Sequence, residues 1–333
     1  MNQEGERMKQ DTFDPTRREA FAAVAGLGLL GLAPPVADAA TFTGGKLPQA
    51  LLDALEDGEA RREMVARIEG DTRPGTQIHG WGSGVCHGVR EGEALRPLFG
   101  YDVFSSIRLL RQPGGDFQRL CREVIFYRDL ESGEYLDEWT NVYSGERVAV
   151  VDVANDPFNY IVTRQGVMPG DNGFAGNTAA KPVRHPERWY YINESTLCCD
   201  RDAHLFYPSL LDPKVWVRES SGAMNRVSEF MRMFIRVEDL LNPQLTHLPY
   251  FGSWVRVTPW LPWMLMDGTP GHCLYVGSIS TRRSITSYSP GLQQRIAKRY
   301  PHFANAPEAW GGRSRSSLET YVETHKPAPP RSK

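Results

Sequence analysis

The stretch that decides the fold is residues 121–160, CREVIFYRDLESGEYLDEWTNVYSGERVAVVDVANDPFNY. Apolar and polar residues alternate in three runs, at 123–127, 135–139 and 147–153, which is the period of a β-strand with one buried face. Both intervening turns contain Ser-Gly-Glu, and glycine supplies the positive φ that a tight turn needs. The stretch therefore predicts a β-meander that forms one wall of a barrel or sandwich, with polar side chains facing a cavity.

Similar patterns continue on both sides of the meander. They predict strands at 101–110 and 188–192, amphipathic helices within 47–69, a late helix at 290–300, and either a helix or a strand at 227–241. The alternate glycines of 79–84 indicate a strand or turn where backbones approach closely. Together these patterns predict one mainly β (α+β) domain over 40–310, an antiparallel barrel of the lipocalin-like class with flanking helices. The polar, Pro-rich residues 311–333 predict a disordered tail.

The N-terminus has the pattern of an export signal. Arg17 and Arg18 precede a mildly apolar run at 20–32, and Ala-Asp-Ala follows at 37–39. A charged region, an apolar region and a small-residue cleavage site predict a signal peptide over 1–39, and the paired arginines resemble a twin-arginine signal. The expected location is the periplasm, with the export machinery as a partner and no stable membrane anchor. The alternative is an uncleaved anchor or a surface helix.

Charge gives a further constraint on partners. Without the four basic and six acidic residues of 1–39, the chain keeps 34 residues of each sign. A formally neutral protein of this size is not expected to bind nucleic acid or an anionic membrane surface.

Cysteines provide no clear framework for a disulfide or a metal. The chain contains Cys86, Cys121, Cys198, Cys199 and Cys273, so in an oxidising compartment at least one thiol stays unpaired, and the pairing of the others is open. None of them lies in a C-x-x-C spacing that would place two ligands on one side of a metal. The sequence therefore predicts neither a metal site nor a cofactor.

Two stretches resemble a known family. They are E-x-x-F-Y-x-D at 123–129 with S-G-E, W-x-N-x-x-S-G-E at 139–146 and N-D-P at 155–157, and then T-P-W-L-P-W-M at 258–264. This combination resembles the domain-of-unknown-function family DUF1838 over roughly residues 45–310. One departure is Val142, where the family often has proline after the asparagine. The resemblance implies export by the twin-arginine route, as in many members, but implies no particular reaction.

The meander also carries candidate catalytic side chains. Glu123 and Tyr127 share one face of a strand, so a carboxylate and a phenol can serve as proton acceptor and donor if burial shifts their pKa values. Asp129 is a second candidate acceptor, and Arg256 is the expected partner of an oxyanion or carboxylate. The alternative is structural: Glu123 forms an ion pair across the sheet and Tyr127 is a core ring.

Aromatic and amide side chains are the candidate ligand contacts. They are Trp139, Asn141 and Tyr143 in the meander, and Trp260 and Trp263 in the W-L-P-W-M run. Amphipathic rings of this kind line apolar pockets. The alternative is that 258–266 is a tightly packed core segment without ligand contacts.

These features predict a cofactor-independent lyase or isomerase that acts by acid–base chemistry on a hydrophobic aromatic or polycyclic small molecule. A non-catalytic periplasmic binding protein has the same barrel and the same aromatic residues, and only the absence of turnover separates the two. A metal-dependent oxidoreductase or hydrolase is the third alternative, and it requires stoichiometric bound metal.

Overall fold

The computed structural model describes residues 49–169, 183–184, 187–312 and 314–331. The predicted signal peptide at 1–39 lies outside these residues. Within them, no helix combines the length and the apolar character that crossing a membrane requires.

Five α-helices flank a large sheet in this part of the chain. The helices are α1 (Gln49–Glu56), α2 (Gly58–Glu69), α3 (Val237–Leu241), α4 (Pro290–Arg299) and α5 (Ser317–Thr324). The described part of the chain also contains three short 3₁₀ helices, at Pro262–Met264, Ile285–Ser287 and Pro301–Ala304. The strands are β1 (Ile78–Val89), β2 (Arg96–Arg111), β3 (Phe117–Arg128), β4 (Glu138–Thr140), β5 (Arg147–Ala149), β6 (Val153–Asn155), β7 (Tyr160–Thr163), β8 (Gly166–Pro169), β9 (Val183–Arg184), β10 (Arg188–Asn193), β11 (Thr196–Pro208), β12 (Met224–Arg236), β13 (Phe251–Thr258) and β14 (His272–Arg282).

All of these strands except β4 and β5 belong to one antiparallel sheet. Its order is β10-β11-β12-β13-β14-β1-β2-β3-β7-β8, with β6 added to β3 and β9 added to β11. The sheet curls into a half-barrel, because long, twisted antiparallel strands coil when one face is buried. This confirms the prediction of a mainly β fold with flanking helices.

Helix α2 packs against both halves of the curled sheet. Val65 belongs to a buried cluster with residues of β2 and β3, whereas Met64 and Ile68 pack against residues of β11 and β12. Asp57 begins the helix by accepting a hydrogen bond from the Glu59 backbone N–H. The helix therefore fills one end of the half-barrel.

A cluster of aromatic side chains, which includes Phe99, Trp139 and Trp263, fills the other end and is called the aromatic cluster below. Leu109 of β2 packs against α2, but Phe99, ten residues earlier on the same strand, contacts Trp139 and Trp263. Between these two points, the alternate residues Val103, Ser105 and Ile107 of β2 line a cavity. The interior is thus packed at its two ends and open in the middle.

The predicted meander is only partly correct. Its first strand lies within β3, but β4 and β5 pair with each other in a separate two-stranded sheet, and β6 then returns to β3. Trp139 and Val148 of the small hairpin are buried in the aromatic cluster. The hairpin therefore packs over the end of the half-barrel and does not extend its wall.

Two other stretches show which structure each local pattern forms in the fold. The stretch at 227–241 contains both predicted states, because β12 runs to Arg236 and α3 begins at Val237. The glycine run at 79–84 lies in β1, as expected for closely approaching backbones: a Cβ on Gly84 would lie 2.1 Å from the carbonyl oxygen of Val276.

The C-terminal stretch differs from its predicted disorder. Ser316 and Glu319 form a capping box at the start of α5, in which each side chain bonds the other residue's backbone N–H. Tyr321 is buried beside Trp216, with ring centroids 5.9 Å apart. Composition alone predicted disorder because it takes no account of this cap and this single buried ring.

Candidate functional site

The concave side of the sheet encloses a cavity of about 210 Å³. Residues of α2, seven long strands and the start of α5 line it. A second cavity of about 70 Å³ adjoins it, and both are lined by Ile125, Val153, Tyr207, Val227, Arg256 and Ser317. Since Arg256 lines both, its side chain lies where the two spaces meet.

The pleat of β3 explains why its charged residue faces this space. Glu123 and Ile125 line the cavity, whereas Val124 and Phe126 pack outward against Leu292 of α4 and its neighbours. Successive residues of a strand point to opposite faces. The apolar cover on the outer face therefore directs Glu123 inward.

Glu123 is an unusual carboxylate. Burial raises its pKa to about 7, and the negative charge of Glu229 adds to this effect, against the opposing influence of the Arg119 and Arg256 guanidinium groups. Asn155 donates a hydrogen bond from Nδ2 to Glu123 Oε1 over 3.3 Å. A carboxyl group with such a pKa exists in both protonation states near neutral pH, as a general acid or base requires.

Arg256 is held opposite Glu229. The two residues are direct partners on β13 and β12, and Arg256 Nη1 lies 3.4 Å from Glu229 Oε1. Glu229 was not among the predicted site residues. The signal was present in the sequence, since Val227, Glu229 and Met231 alternate along β12, and a carboxylate within such a series faces the interior.

A second charged group lines the cavity beside α2. Glu69 lies between two arginines: Arg119 Nε is 2.9 Å from Glu69 Oε2, and Arg201 forms a hydrogen bond with Glu69 Oε1. Glu187 lies 3.6 Å from Arg201. Sequence reasoning missed this group, because Glu69, Arg119 and Arg201 come from α2, β3 and β11 and only the folded chain brings them together.

Two of the predicted catalytic residues lie elsewhere. The Tyr127 hydroxyl is 3.2 Å from the Tyr275 hydroxyl in the aromatic cluster, and burial raises its pKa. Asp129 caps the turn after β3, where bonds from the Ser132 backbone and hydroxyl and from the Glu131 backbone lower its pKa. The structure thus brings Glu123 and Arg256 to one cavity but does not bring Asp129 there.

Of the five predicted ligand-binding residues, two line the smaller cavity and the other three pack behind them or hold their turn in place. Trp260 and Trp263 line the smaller cavity. Trp139 lies behind Trp263 with centroids 5.9 Å apart, and Tyr143 lies against Trp260 at 5.6 Å. Asn141 is buried and donates from Nδ2 to the Met264 carbonyl over 2.7 Å, which fixes the turn that carries both tryptophans.

The five cysteines are free thiols and all are buried. In the described ranges, no three His, Cys, Asp or Glu side chains are grouped so as to hold a metal ion.

Comparison with protein families agrees with the sequence resemblance. The family model described as a protein of unknown function, DUF1838, matches residues 75–326. The chain belongs to the DUF1838 family. The matched region of this DUF1838 protein begins before β1 and ends after α5, so it includes the sheet and most of the residues that line the cavity. A search of curated proteins finds no match.

Proposed function

We propose that this DUF1838 protein is a cofactor-independent lyase or isomerase that acts on a hydrophobic aromatic or polycyclic small molecule in the enclosed cavity. The observation that carries the proposal is the position of Glu123: a carboxyl group with a pKa of about 7 lines the cavity, with Arg256 also in its wall. A group poised near neutral pH and a fixed cation are the two components of proton transfer at a carbon next to a carbonyl.

Each component has a defined role in this proposal. Ionised Glu123 removes a proton from the carbon beside the ligand's carbonyl group, and the Arg256 guanidinium binds the carbonyl oxygen as it becomes an enolate. The protonated Glu123 then returns the proton to another carbon, which gives an isomer, or to a leaving group, which gives elimination. Glu229 keeps Arg256 in place and adds negative charge that favours the protonated form of Glu123.

The size and lining of the cavity support a ligand larger than one ring. An apolar cavity of about 150 Å³ accepts benzene, and here the main cavity is about 210 Å³ with a further 70 Å³ adjoining. The walls combine tryptophans and methionines, namely Trp81, Trp254, Met231 and Met233 in the main cavity and Trp260 and Trp263 in the smaller one. Such walls suit flat, polarisable ligands.

Ligand identification comes first in the test. Native mass spectrometry of the protein from its own host, before and after mild denaturation, would detect a bound organic molecule. That molecule and its relatives are then incubated with the protein, and conversion is followed by liquid chromatography and mass spectrometry. Metal released on denaturation, with a melting temperature lowered by chelation, would contradict the proposal in favour of metal-dependent chemistry.

Variants then separate catalysis from binding. Glu123→Gln keeps the shape of the side chain but cannot exchange a proton, so it should bind the ligand and lose turnover by about 10²–10⁴-fold. Glu131→Gln, on the exposed turn after β3, is the matched control. Unchanged turnover in Glu123→Gln would overturn the assignment of Glu123. Binding without conversion in the native protein would identify a carrier.

A further inference from the structure

The arginines beside α2 have donors that the described part of the protein does not use. Arg119 and Arg201 both line the main cavity, with side chains only 12% and 9% exposed. Arg119 Nη1 and Arg201 Nε and Nη2 are buried and have no hydrogen-bond partner among the described residues. Leaving a buried charged donor unpaired is costly, so these groups favour a ligand that supplies acceptors.

In the described part of the chain, Glu69 and Glu187 are the acidic side chains within 4 Å of these guanidinium groups. Glu69 is shared between both guanidinium groups. Glu187 approaches only Arg201, at 3.6 Å, which is too long for a hydrogen bond. Among the fully buried side-chain atoms of the described ranges that have no hydrogen-bond partner, Oδ1 of Asn155 is the one acceptor that lines the main cavity. The unpaired donors of Arg119 and Arg201 therefore suit a ligand group that has more than one acceptor oxygen.

The position of Arg119 relative to Glu123 indicates how long the ligand is. Arg119 and Glu123 point to the same face of β3, and their Cα atoms are about 13 Å apart, since four residues separate them at roughly 3.3 Å per residue. A ligand that fills the cavity can therefore contact the arginines at one end while its reacting carbon lies at Glu123.

We propose that Arg119 and Arg201 form a carboxylate-binding subsite, so that the ligand is a hydrophobic carboxylic acid whose anionic end lies beside α2. This inference rests on the proposed function, because it assigns an orientation to the substrate of the same cavity. Two guanidinium groups provide charge-assisted hydrogen bonds, and a carboxylate accepts such bonds with both of its oxygens. Arg256 remains available for the carbonyl oxygen at the reacting end.

The test compares two compounds of the same shape with the full chain. Naphthoate carries a carboxylate, and naphthamide replaces it with a neutral amide. Binding is followed by isothermal titration calorimetry, with quenching of tryptophan fluorescence as the second readout, since Trp81 and Trp254 line the cavity. We expect naphthoate to bind at least about tenfold more tightly than naphthamide, because only the acid forms charge-assisted bonds with both arginines.

Variants show which residues cause the preference for naphthoate over naphthamide. Arg201→Gln should reduce it to less than about threefold, and Arg201→Lys should retain part of it because the charge remains. Arg147→Gln, at a position 72% exposed on the β4–β5 hairpin, is the matched control and should keep the full preference. If Arg201→Gln does not fold, as judged by circular dichroism, the affinities of naphthoate and naphthamide for the native protein and for Arg201→Lys still test the subsite.

The outcomes separate this inference from the proposed function. Equal affinities for the acid and the amide in the native protein would overturn the subsite but leave a cavity that binds hydrophobic ligands. A preference that survives in Arg201→Gln would also overturn it, since another group would then hold the carboxylate. Failure of both compounds to bind would count against the subsite and against the cavity as a ligand site.

Discussion

Replacing Glu123 with glutamine should stabilise the protein above neutral pH and leave its stability almost unchanged in acid. Burial raises the pKa of Glu123 from its ordinary value of 4.5 to about 7. The folded protein therefore binds this proton more tightly than the unfolded chain does. Between these two pKa values the unfolding free energy of the native protein falls as the pH rises, because the folded state must hold or release a proton that the unfolded state has already lost.

The size of the effect follows from the two pKa values. A pKa difference of one unit corresponds to about 1.4 kcal/mol, so the step from 4.5 to about 7 gives at most about 3.5 kcal/mol of lost stability above neutral pH. Water in the cavity would reduce this figure by solvating the carboxylate. Glutamine has no charge to bury, and its Oε1 can still accept the hydrogen bond that Asn155 donates to Glu123.

The assay is urea denaturation of both proteins between about pH 4 and pH 8, followed by circular dichroism. The difference between variant and native protein cancels the contributions of all other titrating groups, because both proteins contain them. We expect the difference to grow by about 2–3 kcal/mol from acid to alkaline pH. Glu131→Gln should show no such growth. A constant difference for Glu123→Gln would refute the raised pKa and the acid–base role built on it.

Three further substitutions test the fold and the site. Gly84→Ala should destabilise the protein by at least about 3 kcal/mol in urea denaturation, because its Cβ would collide with the backbone of Val276; Gly114→Ala, which meets open space, should change little, and equal effects would contradict the reasoning. Ser316→Ala should lose about 1 kcal/mol through the capping box, and hydrogen exchange that is unaltered in α5 would count against that cap. Arg256→Gln should lower the melting temperature and cost about 1–2 kcal/mol, since the partly buried carboxylate of Glu229 loses its cationic partner. An unchanged melting temperature would show that this pair does not stabilise the fold.

The sequence predicted the inward direction of Glu123 because strand alternation is a local property, whereas Arg256 was predicted from its place beside the aromatic run. Any residue at an alternate position of β3 or β13 shares a face with its neighbours two positions away, so a charged side chain in an apolar series can be recognised without the structure. The same reasoning could have found Glu229 on β12. It could not separate Glu123 from Tyr127, because both lie on the inner face and only the packing of the aromatic cluster places the Tyr127 hydroxyl beside Tyr275.

By itself the sequence determined the mainly β character, the first strand of the meander with its glycine turns, and the alternation of side chains along that strand, because hydrophobic periodicity and glycine-containing turns act within a few residues. Only the tertiary structure decided which inward-facing residues meet. Glu69 and Arg201 are 132 residues apart in the chain and lie in contact, and α5 borders the cavity although its composition predicted disorder. The physical reason is that curvature of the sheet and the filling of its two ends by α2 and the aromatic cluster depend on all the strands together.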